Sequence, residues 1–345
     1  MKNFKKLLKN PFFNIILILT ITFLALYFSL KDNWQDVLNI LLNSNKQLIG
    51  VVFILSIGYI FLNGLILTIF AKIYNPSYSV GKGFINSLIA AFFHGITPSA
   101  TGGQFAQVYV FRKQGVKLSN ALSILLIDFI LFQSVLVILA LTFILIGYSR
   151  FQDLFSDMMW LVVLGFIVDC AVITVLILLA SSTRFYRFVT KFCFQIGEKL
   201  HIIKNKENNV KRIDESVSNF KAAIKLLKEN NKIMIINIIL NFARLLLTFS
   251  IPAVACIAVG AKVDISMFFN MIIIACFVTL INHMVPIPGA SGTMEATFLL
   301  LFSRFIPYTQ AASAVIIWRF ATFHFILFTA GIVFSIFRKV NEEGE

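Results

Sequence analysis

Charged residues are scarce in this chain of 345 residues: they make up 13% of it, whereas hydrophobic residues make up 59%. A soluble domain of this length cannot bury so much apolar surface, so the composition excludes an ordinary soluble globular protein. Several apolar runs also exceed the roughly 18 residues that mark a membrane-spanning helix. The sequence therefore predicts an all-α polytopic membrane protein.

Cysteine is rare, and the usual motifs for nucleotide binding and hydrolysis are missing. The four cysteines, Cys170, Cys193, Cys256 and Cys276, have neither metal-ligand spacing nor the pattern of a disulfide framework. The chain has no G-x-x-x-x-G-K-[ST] phosphate loop and no G-x-S-x-G nucleophile elbow. We therefore expect no metal, no cofactor and no ATP motor within this chain.

The net charge of +14 follows the pattern of membrane topology, so we expect no nucleic-acid partner. Lysines cluster before the first apolar run, and Lys and Arg outnumber Asp and Glu between Ser182 and Lys232. In that segment apolar residues recur every three or four positions, at Val210, Ile213, Val217, Phe220, Ile224 and Leu227. This spacing predicts an amphipathic helix on the anionic inner leaflet, with a short coiled-coil contact as the alternative.

The apolar runs predict six full spans and two interrupted regions. The spans are residues 11–30, 48–71, 118–147, 160–180, 233–259 and 311–337. The first is too long for a signal-peptide core, so we expect a retained anchor. The interrupted regions are residues 83–111 and 266–303.

Each interrupted region contains one copy of a short Pro/Gly motif. The stretch PSATGGQFA begins at Pro98 and PGASGTMEA begins at Pro288, and four of their nine residues are identical. A chance match of turn residues is one explanation. The similar flanking runs favour the other, which is an internal repeat.

The distribution of Lys and Arg predicts that the N-terminus and the C-terminus are both cytoplasmic. The basic loops fall on consistent sides when each interrupted region is a re-entrant hairpin, the first entering from inside and the second from outside. The basic residues then left outside are Lys31, Lys46, Arg150, Lys262 and Arg304.

This topology predicts a single transmembrane domain with an inverted repeat. Its parts are the anchor in residues 1–47, the first repeat in 48–147, an extra span and basic segment in 148–232, the second repeat in 233–337 and a tail in 338–345. Inverted repeats usually place a binding site near the bilayer midplane, where broken helices meet.

The two breaks are candidate substrate sites, because bent backbone in a bilayer is tolerated only where protein or a wet cavity satisfies it. The candidates are Thr97, Pro98, Ser99, Thr101, Gly102, Gly103 and Gln104 in the first break, and Pro288, Gly289, Ser291 and Gly292 in the second. A helix that restarts after a break presents free N–H groups to a phosphate. Hydroxyls that simply cap those helices are the alternative.

Ionisable residues within the apolar runs are the other candidates, since each is expensive in lipid. They are Asp128, Asp169, Arg244, Glu295 and Arg319. Arg244 and Arg319 could each hold a phosphodiester through two parallel N–H donors, and Glu295 could bind a cationic headgroup. An internal pair between Arg319 and Glu295 is the alternative. For Asp128 and Asp169 we expect structural pairing.

Histidines precede both breaks, at His94 and His283. A metal would need more ligands close by, so a structural hydrogen bond is the expected role for each of them.

The stretches ITPSATGGQFAQVYVFRKQG, PIPGASGTMEA and WRFATF resemble the lysylphosphatidylglycerol synthase/flippase transmembrane family over nearly the whole chain. The resemblance implies a multi-pass bacterial inner-membrane protein that acts on lipids and contributes to antimicrobial peptide resistance. The family's membrane segments often carry an arginine directly after the aspartate of the span that follows the first motif. Here Asp128 is followed by Phe129, and no soluble transferase follows the last span before Glu345.

We therefore expect a flippase-like translocator of a phospholipid or an aminoacylated lipid such as lysylphosphatidylglycerol. The alternatives are a membrane-embedded phosphatidylglycerol lysyltransferase and a partner protein that transports nothing. The expected partners are membrane phospholipid, the anionic inner leaflet, and either a second copy of the chain or a separate lipid-modifying enzyme.

Overall fold

The structure is a computed structural model that describes residues 34–97, 101–155, 158–182 and 231–342, together with Thr20 and five positions between 184 and 189. Apart from Thr20, the predicted anchor at 11–30 lies outside the described residues, as does the predicted amphipathic segment at 210–227. Both therefore stay predictions.

The described chain is helical, and none of its residues lies in a β-strand. Its helices are α1 (Trp34–Asn43), α2 (Lys46–Tyr74), α3 (Val80–Ile96), α4 (Gly102–Lys113), α5 (Leu118–Phe155), α6 (Met159–Ser181), α7 (Asn231–Ala258), α8 (Ile265–His283), α9 (Thr293–Phe302), α10 (Tyr308–Arg319) and α11 (Phe325–Glu342). A 3₁₀ turn, Pro288–Ala290, separates α8 from α9, and a π-helical segment, Phe320–His324, joins α10 to α11. The predicted all-α class is confirmed.

Side-chain caps fix the starts of three of these helices. The Asn45 carboxamide accepts hydrogen bonds from the N–H groups of Gln47 and Leu48 at the start of α2. Ser79 and Asp264 cap α3 and α8 in the same way, by accepting from the N–H groups three residues further on. These caps satisfy amide groups that have no partner within the helix.

Six helical segments of the described chain are long and apolar enough to cross a membrane. Five of them, Lys46–Tyr74, Leu118–Gly147, Met159–Leu179, Asn231–Ala258 and Tyr308–Asn341, match predicted spans. The sixth, Ile265–His283, is the first limb of the region that we predicted to be the second re-entrant hairpin. Its 19 residues would cover about 28 Å, close to the roughly 30 Å of a bilayer core.

Helices α2 to α5 pack in the same order as helices α7 to α10. In each set the first helix contacts the second and the fourth, the second contacts the third, and the third contacts the fourth. Helices α2 and α7 contact each other between the two sets, and α6 packs against α5 and α8. This correspondence agrees with an internal repeat, whereas its inverted orientation and the re-entrant hairpins stay predictions.

A short loop and a glutamine fix the relative position of α3 and α4 at their predicted cytoplasmic ends. The Tyr78 hydroxyl donates to the side-chain oxygen of Gln114. The side-chain amide of Gln114 in turn donates to the backbone carbonyl oxygen of Lys82 at 3.0 Å. Tyr78 is fully buried, and this burial raises the pKa of its phenol above the usual range. Tyr78 therefore remains a neutral donor at physiological pH.

Helix α1 is an element that the sequence analysis did not predict. It packs against α10, with Val37 fully buried and its carbonyl oxygen 3.4 Å from the Ser313 hydroxyl. The residues that follow the predicted anchor, Trp34–Asn43, therefore form part of the packed structure.

Cysteine labelling tests the predicted opposed hairpins. In a variant without native cysteines, Lys117→Cys should be protected from an impermeant thiol reagent in intact cells, and Tyr308→Cys should react. Both positions are exposed, and each lies at the start of a helix that follows a broken region, α5 or α10. Equal labelling of the two positions would contradict the opposed orientation.

Candidate functional site

The first break is held by Thr97 and two glycines. The Thr97 hydroxyl donates to the Phe93 carbonyl oxygen at 2.6 Å and accepts from the Gly102 N–H at 2.9 Å, so it connects the end of α3 to the start of α4. A Cβ atom on Gly102 would lie 2.5 Å from Thr97, and one on Gly103 would lie 2.3 Å from the His94 ring. Both glycines therefore permit a close approach that no side chain would allow. Thr101 is exposed before α4, and Pro98 and Ser99 lie outside the described residues.

Beside the first break lies a cavity of about 170 Å³ with a polar lining. Helices α2, α3, α4, α5 and α7 all contribute to its wall. The lining residues are Tyr59, Asn63, His94, Gln104, Gln107, Leu125, Asp128, Phe129, Phe132 and Arg244. The volume corresponds to roughly five or six water molecules, which is enough for a small polar group.

Arg244 is the charged centre of this cavity wall, and only 4% of it is exposed. Its two terminal nitrogens donate to the side-chain oxygens of Asn63 and Asn241, each at 2.5 Å. Its Cζ atom lies 4.4 Å from the centre of the Phe132 ring. These contacts hold the guanidinium in one orientation. The two amides belong to helices that are long enough to span a membrane, Asn63 to α2 and Asn241 to α7.

Arg244 and Asp128 are only partly satisfied by hydrogen bonds within the protein. Asp128 lies 3.8 Å from Arg244, which is an ion-pair distance but too long for a hydrogen bond. The Arg244 Nε atom and the Asp128 Oδ1 atom are both buried without a hydrogen-bond partner. A buried polar group without a partner costs about 1–3 kcal/mol, and more when it is charged. The protein therefore leaves one donor and one acceptor of this pair without a hydrogen bond.

The second break is more tightly closed. Gly289 and Gly292 have positive φ angles of 59° and 85°, and Ala290 follows with 48°. The Gly292 N–H donates to Glu295 Oε2 at 2.7 Å, which caps the start of α9. Pro288 and Ser291 are buried, and the Ser291 hydroxyl has no hydrogen-bond partner.

Arg319 forms an ion pair with Glu295 in the second break. The Arg319 Nε atom donates to Glu295 Oε1 at 2.6 Å, and a terminal nitrogen donates to the Gly289 carbonyl oxygen at 3.0 Å. Both side chains are buried, with 7% and 2% exposed. The Arg–Glu pair that the sequence offered as an alternative is therefore present.

Phe323 connects the two breaks. Arg319 lies over its ring, with Cζ 4.4 Å from the ring centre. A Cβ atom on Gly289 would lie 2.3 Å from this ring, and one on Gly95, at the end of α3, would lie 3.3 Å from it. The structure therefore places the end of α3, just before the first break, next to the second motif, although the cavity wall described above includes neither Glu295 nor Arg319.

Asp169 pairs with the histidine that precedes the second break. One carboxylate oxygen lies 3.0 Å from His283 Nδ1, and the other accepts from the Gln133 amide at 2.9 Å. This contact joins α6 to α5 and α8. The structural pairing predicted for Asp169 is confirmed, as is the predicted hydrogen bond of His283.

The sequence analysis missed several residues of the cavity. Asn63 and Gln107 line the cavity, and Asn241 holds Arg244. All three are amides in or next to apolar runs, and that position was the available signal. In a spanning helix, a buried amide needs a partner on a neighbouring helix or along its own turn. Among the described residues, no three His, Cys, Asp or Glu side chains are grouped as metal ligands would be.

The fold and these charge clusters define a polytopic α-helical membrane protein with two interrupted, polar regions inside its helical bundle. The family described as "Lysylphosphatidylglycerol synthase TM region" matches residues 15–331. The chain therefore belongs to this family. It is also similar to a UPF0104 membrane protein from Archaeoglobus fulgidus, with 24% identity over 310 residues that cover 85% of this chain and 88% of the relative.

Proposed function

We propose that this protein moves a phospholipid or an aminoacylated relative, such as lysylphosphatidylglycerol, across the bacterial inner membrane. The observation that carries the proposal is a buried arginine, Arg244, in the wall of a polar cavity between helices that are apolar enough to span a membrane. Such charges in membrane helices usually mark the path of a substrate. The family description adds that the membrane region of a lipid synthase is similar to this chain.

A second cavity supports an amphiphilic substrate. It is an apolar groove of about 700 Å³ between α2, α5, α7 and α8, and Arg150 lies at its edge. Leu247 in this groove follows Arg244 by three residues, or about one helical turn, on α7. Helices α2, α5 and α7 line both cavities, so a polar and an apolar compartment follow each other along the same helices.

The polar compartment fits a phosphate group, and the apolar groove fits acyl chains. The Arg244 guanidinium is a permanent positive charge, and its Nε–H is a donor that has no partner within the protein. Gln104 and Gln107 on α4 and Asn63 on α2 provide further amides for a headgroup. Entry of a lipid between the helices would keep its acyl chains in contact with the bilayer.

Lipid movement in proteoliposomes tests the proposal. Vesicles with a trace of fluorescent phosphatidylglycerol are treated from outside with dithionite, a reductant that does not cross the membrane. Purified protein should allow the reductant to reach the label of both leaflets, whereas vesicles without protein should keep the inner-leaflet label. An inner-leaflet signal that persists at high protein density would contradict the proposal.

The ion pair of the second break predicts a mild effect for Arg319→Lys. A lysine keeps the charge opposite Glu295 but loses the donor to the Gly289 carbonyl oxygen, so stability should fall by about 1 kcal/mol. Lipid movement per folded protein should stay close to the wild-type rate, because Arg319 already donates to the Glu295 carboxylate and to the Gly289 carbonyl oxygen.

Thermal unfolding and the dithionite assay together check this expectation. As a control, Arg319→Ala leaves Glu295 buried without its positive partner and should destabilise the protein by about 3–5 kcal/mol. A well-folded Arg319→Lys protein that no longer moves lipid would instead assign a phosphate to Arg319.

A further inference from the structure

Arg244 and Asp128 form a buried ion pair beside the polar cavity, and this pair is the basis of an inference about protons. This inference rests on the proposed function and adds an ion to it. Arginine stays protonated in proteins, so a buried Arg244 requires an anion nearby. Among the residues that the structure describes, Asp128 is the carboxylate paired with Arg244, at 3.8 Å.

A lipid phosphate in this cavity would compete with Asp128 for one guanidinium. The Asp128 Oδ1 atom is buried and accepts no hydrogen bond, and Arg244 is the positive charge that stabilises the carboxylate. Two anions that share a buried site cannot both stay ionised easily, because each raises the proton affinity of the other. A phosphodiester remains ionised at neutral pH, so the carboxylate is the group that takes up the proton.

We propose that Asp128 binds one proton when a lipid phosphate binds Arg244, and releases it when the phosphate leaves. In the empty protein, the positive guanidinium and the negative carboxylate form a neutral pair. In the loaded protein, the phosphate takes the place of the carboxylate charge, and the proton from water neutralises Asp128. Charge in the cavity is balanced in both states, and each lipid that enters brings one proton with it.

The groups that face Asp128 limit the alternatives. Helix α7 contributes Arg244, α3 contributes His94 and α2 contributes Tyr59, whereas α4 contributes only the amides of Gln104 and Gln107. A phenol already carries its proton, so Tyr59 cannot take up another. His94 is therefore the rival proton acceptor, and Asp128→Asn separates the two because it removes only the carboxylate.

Proton uptake during lipid binding tests this proposal. Purified protein in detergent at pH 8 is titrated with dihexanoyl phosphatidylglycerol in two buffers of different ionisation enthalpy. The difference in heat gives the number of protons bound per lipid. The wild-type protein should take up close to one proton per lipid, and Asp128→Asn should bind the lipid with almost none.

Inorganic phosphate, titrated under the same conditions, separates a lipid site from a general phosphate site. It should bind far more weakly, because it has no acyl chains for the apolar groove. Binding of inorganic phosphate as tight as that of the lipid would overturn the lipid assignment.

The remaining outcomes separate this inference from the function on which it rests. A protein that moves lipid in the dithionite assay but takes up no proton overturns the coupling alone. Proton uptake that survives in Asp128→Asn also overturns it, because another group, such as His94, would then be the proton acceptor. A protein that neither binds nor moves lipid overturns both this inference and the proposed function.

Discussion

The double substitution Arg244→Met with Asp128→Leu should leave a well-folded protein that moves lipid about tenfold more slowly or worse. Replacing a buried ion pair by apolar residues of similar volume is often neutral or stabilising, because the cost of desolvating two charges disappears. The cavity would then lack its charged donor. Loss of a hydrogen bond to a charged group costs about 1.5–3 kcal/mol, which corresponds to a tenfold or larger effect.

The single substitutions provide the control for this double variant. Arg244→Met leaves Asp128 buried without its partner, and it should destabilise the protein by about 3–5 kcal/mol. Thermal unfolding of the three variants, together with the dithionite assay, separates folding from lipid movement. If the stable double variant moved lipid at the wild-type rate, the ion pair would have no part in transport.

The substitution Gly83→Ala should give the largest loss of stability among single methyl additions in the first broken region. A Cβ atom there would lie 2.1 Å from the Thr68 hydroxyl and 2.3 Å from the Gly64 carbonyl oxygen. The side chain of Thr68 can rotate, but the backbone of Gly64 cannot move without separating α2 from α3. Overpacking of this kind costs about 1–3 kcal/mol.

A glycine two residues earlier on the same helix is the matched control. A Cβ atom on Gly81 would have Ser79 Oγ as its nearest neighbour, at 3.9 Å. Gly81→Ala should therefore keep the wild-type unfolding temperature in detergent, whereas Gly83→Ala should lower it by several degrees. Equal unfolding temperatures for the two variants would show that α2 and α3 do not pack as closely as described.

The spans were predictable because a spanning helix needs a long apolar run, and composition alone shows such a run. The breaks were predictable because proline and glycine interrupt it. The prediction of re-entrant hairpins was weaker, because a hydropathy pattern does not distinguish one helix of a hairpin from a short span. Ile265–His283 is long enough for either.

The candidate site was predicted only in part, since its partners are distant in sequence. Arg244 was a candidate from its position in an apolar run, but its contact with Asn63 joins residues 181 positions apart. Nothing in the local pattern pairs these two side chains. Similarly, Arg319 and Glu295 were recognised as ionisable, yet only the geometry shows that they satisfy each other and the second break.

The two arginines therefore differ in a way that the sequence could not show. Arg319 is held by Glu295 and the Gly289 carbonyl oxygen, whereas Arg244 keeps a buried Nε atom without a partner beside a polar cavity. This difference is the reason for assigning the headgroup phosphate to Arg244 rather than to Arg319.

Native mass spectrometry of the purified protein tests this central assignment most directly. The wild-type protein should retain a bound phospholipid that fragmentation identifies by its phosphate-containing headgroup. The stable Arg244→Met/Asp128→Leu variant should lose that bound lipid under the same activation energy. Equal retention of the same lipid by both proteins would contradict the assignment of the phosphate to Arg244.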